Sequence, residues 1–135
     1  MSQYATIRTR IVDRDALVAA LHEAGFEHVE VYETPQHLHG YVGDRRRRKT
    51  QVIIPRRCIG RLSNDVGFLK QRDGTYQAII SGYDRARFSD QWLNKLTQSY
   101  AVAVAKSRLS AEGFTLLEET RDEAGAVHIL VRRAV

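Results

Sequence analysis

The chain contains the same helix-to-strand junction twice, and each copy is built around a Gly-Phe pair. Gly25–Phe26 ends an apolar-striped segment and leads into a strand pattern, and Gly113–Phe114 does the same, with a leucine four residues before each glycine. Glycine readily takes the left-handed conformation that ends many helices. The repeat therefore predicts two related helix-to-strand halves that share one core.

Apolar periodicity around these junctions predicts two helices and seven strands. Asp13 can cap the first helix, and Ser89 or Asp90 can cap a longer one that runs to about residue 112. Asp73-Gly74 is typical of a tight hairpin turn. We predict an α+β fold: a mixed or antiparallel sheet with two helices on one face, which suggests duplicated βαββ units. The predicted strands span residues 5–12, 27–32, 50–55, 65–71, 76–81, 115–120 and 126–133.

Size and composition favour a single α+β domain over residues 1–135, since this length buries one core. No apolar run approaches the roughly 20 residues that span a bilayer, and the N-terminus lacks the apolar centre of a signal peptide. The lone cysteine fits a reducing compartment. We therefore expect a cytoplasmic protein without a membrane span.

The net charge of +5 is concentrated in one run of five consecutive cations. Pro35 and the glycines Gly40 and Gly43 precede this run, so we predict an exposed basic loop at about residues 34–50. Arginine binds carboxylates and phosphates bidentately, which predicts an anionic partner. An acidic protein, a nucleic acid and a merely solvated loop all remain open. The candidate contact residues are Tyr41, Arg45, Arg46, Arg47, Arg48 and Lys49.

Further cations lie on either side of the next strands. Arg56, Arg57 and Arg61 follow one predicted strand, and Lys70 and Arg72 end another. These residues would extend the basic patch if the fold brought them to its side, which the sequence alone does not decide.

Four aromatic residues could line a groove between the sheet and the long helix. Tyr76 and Tyr83 follow the hairpin, and Trp92 and Tyr100 lie on the predicted helix. Aromatic residues at helical spacing are more often part of the core, and that interpretation is favoured. The alternative is a small-molecule site at Tyr76, Trp92 and Tyr100.

The remaining reactive residues do not form a recognisable constellation. His37 and His39 have a His-x-His spacing, but a metal site needs further ligands that the sequence does not supply at metal-binding spacing. Cys58 lies beside arginines, yet a lone cysteine is more often a small packing residue. We expect no metal site, no cofactor and no catalytic residue.

Several short motifs are spread over most of the chain: Tyr4–Ile11, Gly40–Arg45, Asp65–Phe68, Asp73–Tyr76, Phe88–Ala101 and Glu112–Phe114 followed by Glu118 and Glu119. The Leu-Thr-Gln-x-Tyr-Ala helix is the most specific of them. Together they resemble one family, the hypothetical chloroplast open reading frame 35 family, which also occurs widely in bacteria. No catalytic residues are known for the family, so the resemblance implies none. Bacterial members are often encoded beside AAA-class ATPases, which implies an accessory role in a multiprotein system.

These patterns favour a non-enzymatic accessory or adaptor protein that binds a macromolecular partner through the Arg45–Lys49 segment. Direct nucleic-acid binding by the same segment is one alternative, and small-molecule binding between sheet and helix is another. Exposed sheet edges leave the oligomeric state open.

Overall fold

The predicted order of two helices and seven strands is present in a computed structural model of the chain, which describes residues 3–133. Both caps are formed: the Asp13 carboxylate accepts the backbone N–H of Ala16, and the Ser89 hydroxyl accepts that of Trp92. The elements are β1 (Tyr4–Arg8), α1 (Arg14–Glu23), β2 (Glu30–His39), β3 (Arg45–Ile54), β4 (Val66–Lys70), β5 (Tyr76–Ser81), α2 (Asp90–Ala111), β6 (Phe114–Arg121) and β7 (Val127–Arg133).

Five strands form an antiparallel sheet in the order β1-β5-β4-β3-β2. Alternate residues of its strands point toward one face, where both helices pack in a single apolar cluster centred on Phe68, Leu17 and Leu96. The α+β prediction with two helices on one face is confirmed, and the sheet is antiparallel. Among the described residues, no helix is long and apolar enough to cross a membrane.

The Gly-Phe junctions behave alike, but the strands that follow them do not. Gly25 and Gly113 both end their helices with positive φ angles of 102° and 88°. After Gly25 the chain enters the five-stranded sheet, whereas after Gly113 it forms a separate β6–β7 hairpin. The helix α2 has 22 residues against 10 in α1, which makes it about 18 Å longer. Its end therefore lies beyond the main sheet, and duplicated βαββ units are not confirmed.

The predicted bounds of the second strand, residues 27–32, are wrong. Strand β2 begins at Glu30 rather than at residue 27, and it continues through Pro35 to His39. β2 is an edge strand, and its pairing with β3 shifts register between Val31 and Gln36. Pro35 lies within this irregular stretch, so the sheet loses no hydrogen bond because proline lacks an N–H group. Val31 is also exposed rather than directed inward.

The second face of the main sheet carries a smaller core. Leu38, Ile53 and Ile79 are fully or nearly fully buried there and are joined by Tyr4 and Leu69. Leu38 belongs to the distal part of β2, so the β2–β3 hairpin folds across this face. This crossing determines where the basic segment lies.

Candidate macromolecule-binding surface

The five consecutive cations lie in strand β3, and the predicted exposed basic loop at about residues 34–50 is wrong. Within Arg45–Lys49, alternate side chains are exposed and half-buried, as the two faces of a strand require. Arg45, Arg47 and Lys49 face solvent, whereas Arg46 and Arg48 face the sheet. The loop is restricted to residues 40–44. Charge alone suggested a loop, but a strand with one solvent face accommodates cations equally well.

The two inward arginines bind groups outside β3. Nε of Arg46 lies 2.8 Å from an oxygen of Asp44, and one of its terminal nitrogens lies 3.4 Å from Oδ1 of Asn64. Arg48 donates to the Thr6 hydroxyl at 3.0 Å. Because Thr6 lies on β1, at the opposite edge of the sheet from β2, this bond shows that the hairpin spans the second face.

Asn64 is buried at the point where the hairpin tip meets the sheet, and its amide is well satisfied. Its Oδ1 accepts the backbone N–H of Tyr41 at 3.0 Å, and its Nδ2 donates to Ser81 Oγ at 2.9 Å and to Asp84 Oδ2 at 3.3 Å. Its backbone N–H donates to the same Asp84 oxygen at 2.9 Å. Asn64 therefore links the hairpin tip, the segment before β4 and the end of β5.

Asp65 joins the hairpin to the segment that follows β3. Its two carboxylate oxygens accept the backbone N–H groups of His39 and Arg56, each at 2.7 Å. The carboxylate is buried, and such ionic hydrogen bonds are stronger than neutral ones. This bridge places the start of the Arg56–Arg61 segment near His39, the β2 residue that pairs with Arg45.

The basic patch is therefore larger than the consecutive run. Residues 40–63 contain eight cations and a single carboxylate, a net charge of +7, so the remainder of the chain carries −2. Arg57 and Arg61 are exposed. Lys70 lies at the far end of β4 from Asp65, about 16 Å away, and Arg72 lies beyond it, so these two do not extend the patch.

Four large apolar side chains are exposed where three loops converge on Asn64. Tyr41, Val42, Leu62 and Tyr83 are between 46% and 68% exposed. Each lies within two residues of a group bonded to Asn64, or of Asn64 itself. Val42 and Leu62 were not predicted as contact residues from the sequence. Their position among glycine and polar residues was the one signal that could have identified them. We call the following set the tip surface: Tyr41, Val42, Arg45, Arg47, Arg61, Leu62 and Tyr83.

The predicted groove between sheet and helix is filled by its own residues. Tyr76 and Tyr100 are buried in the main core, and Trp92 packs edge-on against Phe88 with a ring-centre distance of 4.7 Å. The Tyr100 hydroxyl accepts the backbone N–H groups of Val12 and Asp13, both at 3.0 Å. The core interpretation of these aromatic residues therefore fits their placement.

The histidine pair and the cysteine also have structural surroundings. Nδ1 of His37 is 2.6 Å from the Arg46 carbonyl oxygen, and Nδ1 of His39 is 3.4 Å from Asp65 Oδ2. Over residues 3–133, no group of three or more histidine, cysteine or acidic side chains is arranged to hold a metal ion. Cys58 is half-buried and packs against the main core.

A buried phenol lies beneath the hairpin. The Tyr4 hydroxyl oxygen is inaccessible to solvent, and burial raises the pKa of this phenol far above its ordinary value. Arg46 acts against this shift, while Asp65 and Asp84 reinforce it. Tyr4 therefore remains neutral and serves as part of the second core.

The fold and the tip surface together define a class of antiparallel α+β protein. In this class a basic hairpin folds over the sheet and is held there by hydrogen bonds to buried polar residues. The chain belongs to the family described as a protein of unknown function, DUF1257, which matches residues 20–130. It is 24% identical over 135 residues to the uncharacterized protein ycf35 of Cyanophora paradoxa, with 98% of each chain covered. The resemblance to the open reading frame 35 family is confirmed. No solved structure matches the chain.

Proposed function

We propose that this protein is a non-enzymatic accessory or adaptor protein that binds an acidic region of a partner protein through its tip surface. The observation that carries the proposal is the group of four exposed apolar side chains beside exposed arginines. Protein interfaces combine an apolar centre with a polar rim, and they are enriched in tyrosine and arginine.

A protein partner is favoured over a nucleic acid by the kind of apolar residue present. Tyr41 and Tyr83 could stack on bases, but Val42 and Leu62 are aliphatic and give no stacking platform. Exposed aliphatic side chains instead match an apolar surface on another protein. The surrounding cations then select a partner with carboxylates around that surface.

The hairpin is held in one conformation before it binds. Asn64 and Asp65 fix its backbone through buried hydrogen bonds, and Arg48 bonds to Thr6 across the sheet. A preorganised surface loses less conformational entropy on association than a mobile loop would. This rigidity supports a docking role. A cytoplasmic multiprotein system that includes an AAA-class ATPase would be a suitable setting for it.

The proposal is tested by reversing the charges of Arg45, Arg47 and Arg61, the three cations of the tip surface, to glutamate. All three side chains are exposed, so the variant should fold. Immobilised wild-type protein and variant are incubated with nuclease-treated native lysate, and the recovered proteins are quantified by mass spectrometry. We expect an acidic partner that the wild type retains and the variant loses.

The matched control reverses Arg10, Arg72 and Lys95, three exposed cations outside the tip surface that produce the same change in net charge. Retention of the partner by this control would assign binding to the tip surface rather than to overall charge. Equal recovery by all three proteins would refute the proposal. Partner recovery from untreated lysate that is lost after nuclease treatment, or binding of a 40-nucleotide single strand that persists at 200 mM salt, would favour the nucleic-acid alternative.

A further inference from the structure

The C-terminal hairpin β6–β7 forms a small sheet of its own, separate from the five-stranded sheet. It packs against α2, where Lys106 pairs with Glu119 and the Gln98 amide donates to the Gly125 carbonyl at 2.9 Å. An isolated two-stranded hairpin is marginally stable, so this one depends on its packing against α2. A third strand would add to its stability.

This hairpin exposes apolar side chains on both of its faces: Leu116 lies on the face toward α2, and Leu130 lies on the opposite face. Leu116, Leu117 and Leu130 are each between 47% and 54% exposed. A groove of about 370 Å³ opens between α2 and the hairpin. Its apolar lining is formed by Leu109, Phe114, Leu116, Ile129 and Val131.

The two edges of the hairpin differ in regularity and in charge. The pairing of β6 shifts register between Leu116 and Glu118, and β6 also carries Glu119. Strand β7 contains no proline, glycine or acidic residue, and it ends in Arg132-Arg133. Proteins usually protect exposed edges with bulges, prolines or charges along the strand. β6 carries such protection along its length, whereas β7 has an unbroken apolar centre.

From these observations we propose that the β7 edge binds an extended segment of a partner protein by strand addition. The segment would alternate apolar and acidic residues. Apolar side chains of the bound segment would extend the face of β7 that carries Ile129 and Val131, which borders the groove. Its acidic side chains would lie on the opposite face and pair with Arg132. This surface is separate from the tip surface, so the protein would connect two partners.

Two eight-residue peptides test the proposal with the full chain: one alternates glutamate with valine, and the other alternates lysine with valine. We expect the glutamate peptide to bind in a fluorescence anisotropy titration and to protect β7 amides from hydrogen exchange. The lysine peptide should bind at least tenfold more weakly. Arg132→Glu should weaken the glutamate peptide by about fivefold or more and strengthen the lysine peptide.

The matched control is Arg72→Glu, which reverses an exposed cation in the turn between β4 and β5 and should leave both affinities unchanged. Absence of glutamate-peptide binding, or equal affinity for the two peptides, would overturn the proposal. A dimer in sedimentation experiments that dissociates on Arg132→Glu substitution would also overturn it, because the edge would then be occupied by a second copy of the chain.

Discussion

Gly67 is the residue at which the second core is packed most tightly. It lies on β4 between Val66 and Phe68, and a Cβ atom placed there would lie 2.6 Å from Thr50 Cγ2 and 2.9 Å from Leu38 Cδ2. Thr50 and Leu38 are fully buried and belong to the hairpin that crosses this face. The missing side chain of Gly67 therefore allows the hairpin to approach the sheet.

Gly67→Ala should lower the free energy of unfolding by about 1–3 kcal/mol, because two buried side chains would have to move. Urea denaturation measures the change. The matched control is Gly82→Ala, since a Cβ there meets its nearest atom at 3.7 Å and the residue is exposed. The control should remain within about 0.5 kcal/mol of the wild type. Equal effects from the two substitutions would show that close packing at Gly67 does not account for the change in the free energy of unfolding.

The β2–β3 hairpin depends on a few buried polar residues for its position. Asn64 bonds to Tyr41, Ser81 and Asp84, and Asp65 holds His39 by its backbone. Apolar contacts of Leu38 add to these bonds. The local sequence of the hairpin therefore favours only the pairing of its two strands. Its orientation on the sheet is determined by residues elsewhere in the chain.

Asn64→Ala should release the hairpin tip and lower the free energy of unfolding by about 1–3 kcal/mol, because buried partners lose their hydrogen bonds. The substitution should speed hydrogen exchange more at the backbone amides of residues 39–48 than at those of α2. The control Asn94→Ala removes an exposed amide on α2 and should change neither quantity appreciably. Unchanged protection of residues 39–48 in Asn64→Ala would show that the hairpin does not need this link.

The C-terminal hairpin should respond to acid through Asp122. A hydrogen bond with His128 at 2.9 Å lowers the pKa of Asp122 below its ordinary value of 3.8. Because the pKa is lowered in the folded state, the stabilisation is present above the unfolded pKa and is lost as pH falls through the folded pKa. Protection of β7 amides, once corrected for intrinsic exchange rates, should therefore fall below about pH 4.

The variant Asp122→Asn supplies the comparison for this pH dependence. Its hairpin amides should be less protected than wild type near neutral pH and should show a smaller change on acidification. The same acid-induced loss in the variant would assign the effect to other groups.

At the scale of the whole molecule, the charge distribution acts against stability. Arg45, Arg47 and Lys49 are all exposed along one strand and lie in a segment with a net charge of +7. Successive members of this row are about 7 Å apart, which is within the Debye length at physiological salt. Their mutual repulsion opposes folding, and an anionic partner would relieve it.

Arg47→Gln should therefore raise the free energy of unfolding by a few tenths of a kcal/mol at low salt, with the difference disappearing near 1 M salt. Thermal or urea denaturation at two salt concentrations measures this effect. Arg10→Gln removes an exposed cation outside the row and should give a smaller change. Destabilisation by Arg47→Gln at low salt would contradict the repulsion argument.

Periodicity and local chemistry in the sequence determined the two helices, their caps at Asp13 and Ser89, their glycine ends and the α+β class. These features depend on residues close together in the chain, so a linear pattern can reveal them. The same local rules predicted a loop for the arginine run. All five residues are charged, so the run shows no alternation of apolar and polar residues that would indicate a strand, and glycines lie nearby.

Only the tertiary structure decided where that run lies and what surrounds it. Hydrogen bonds from Asn64 and Asp65, and the space left by Gly67, fold the hairpin across the sheet and bring Leu62 and Tyr83 beside it. Such contacts join residues 17 or more positions apart and depend on shape as well as composition. The length of α2 likewise separated the second Gly-Phe junction from the main sheet, because each added helical residue moves the chain about 1.5 Å further along the axis.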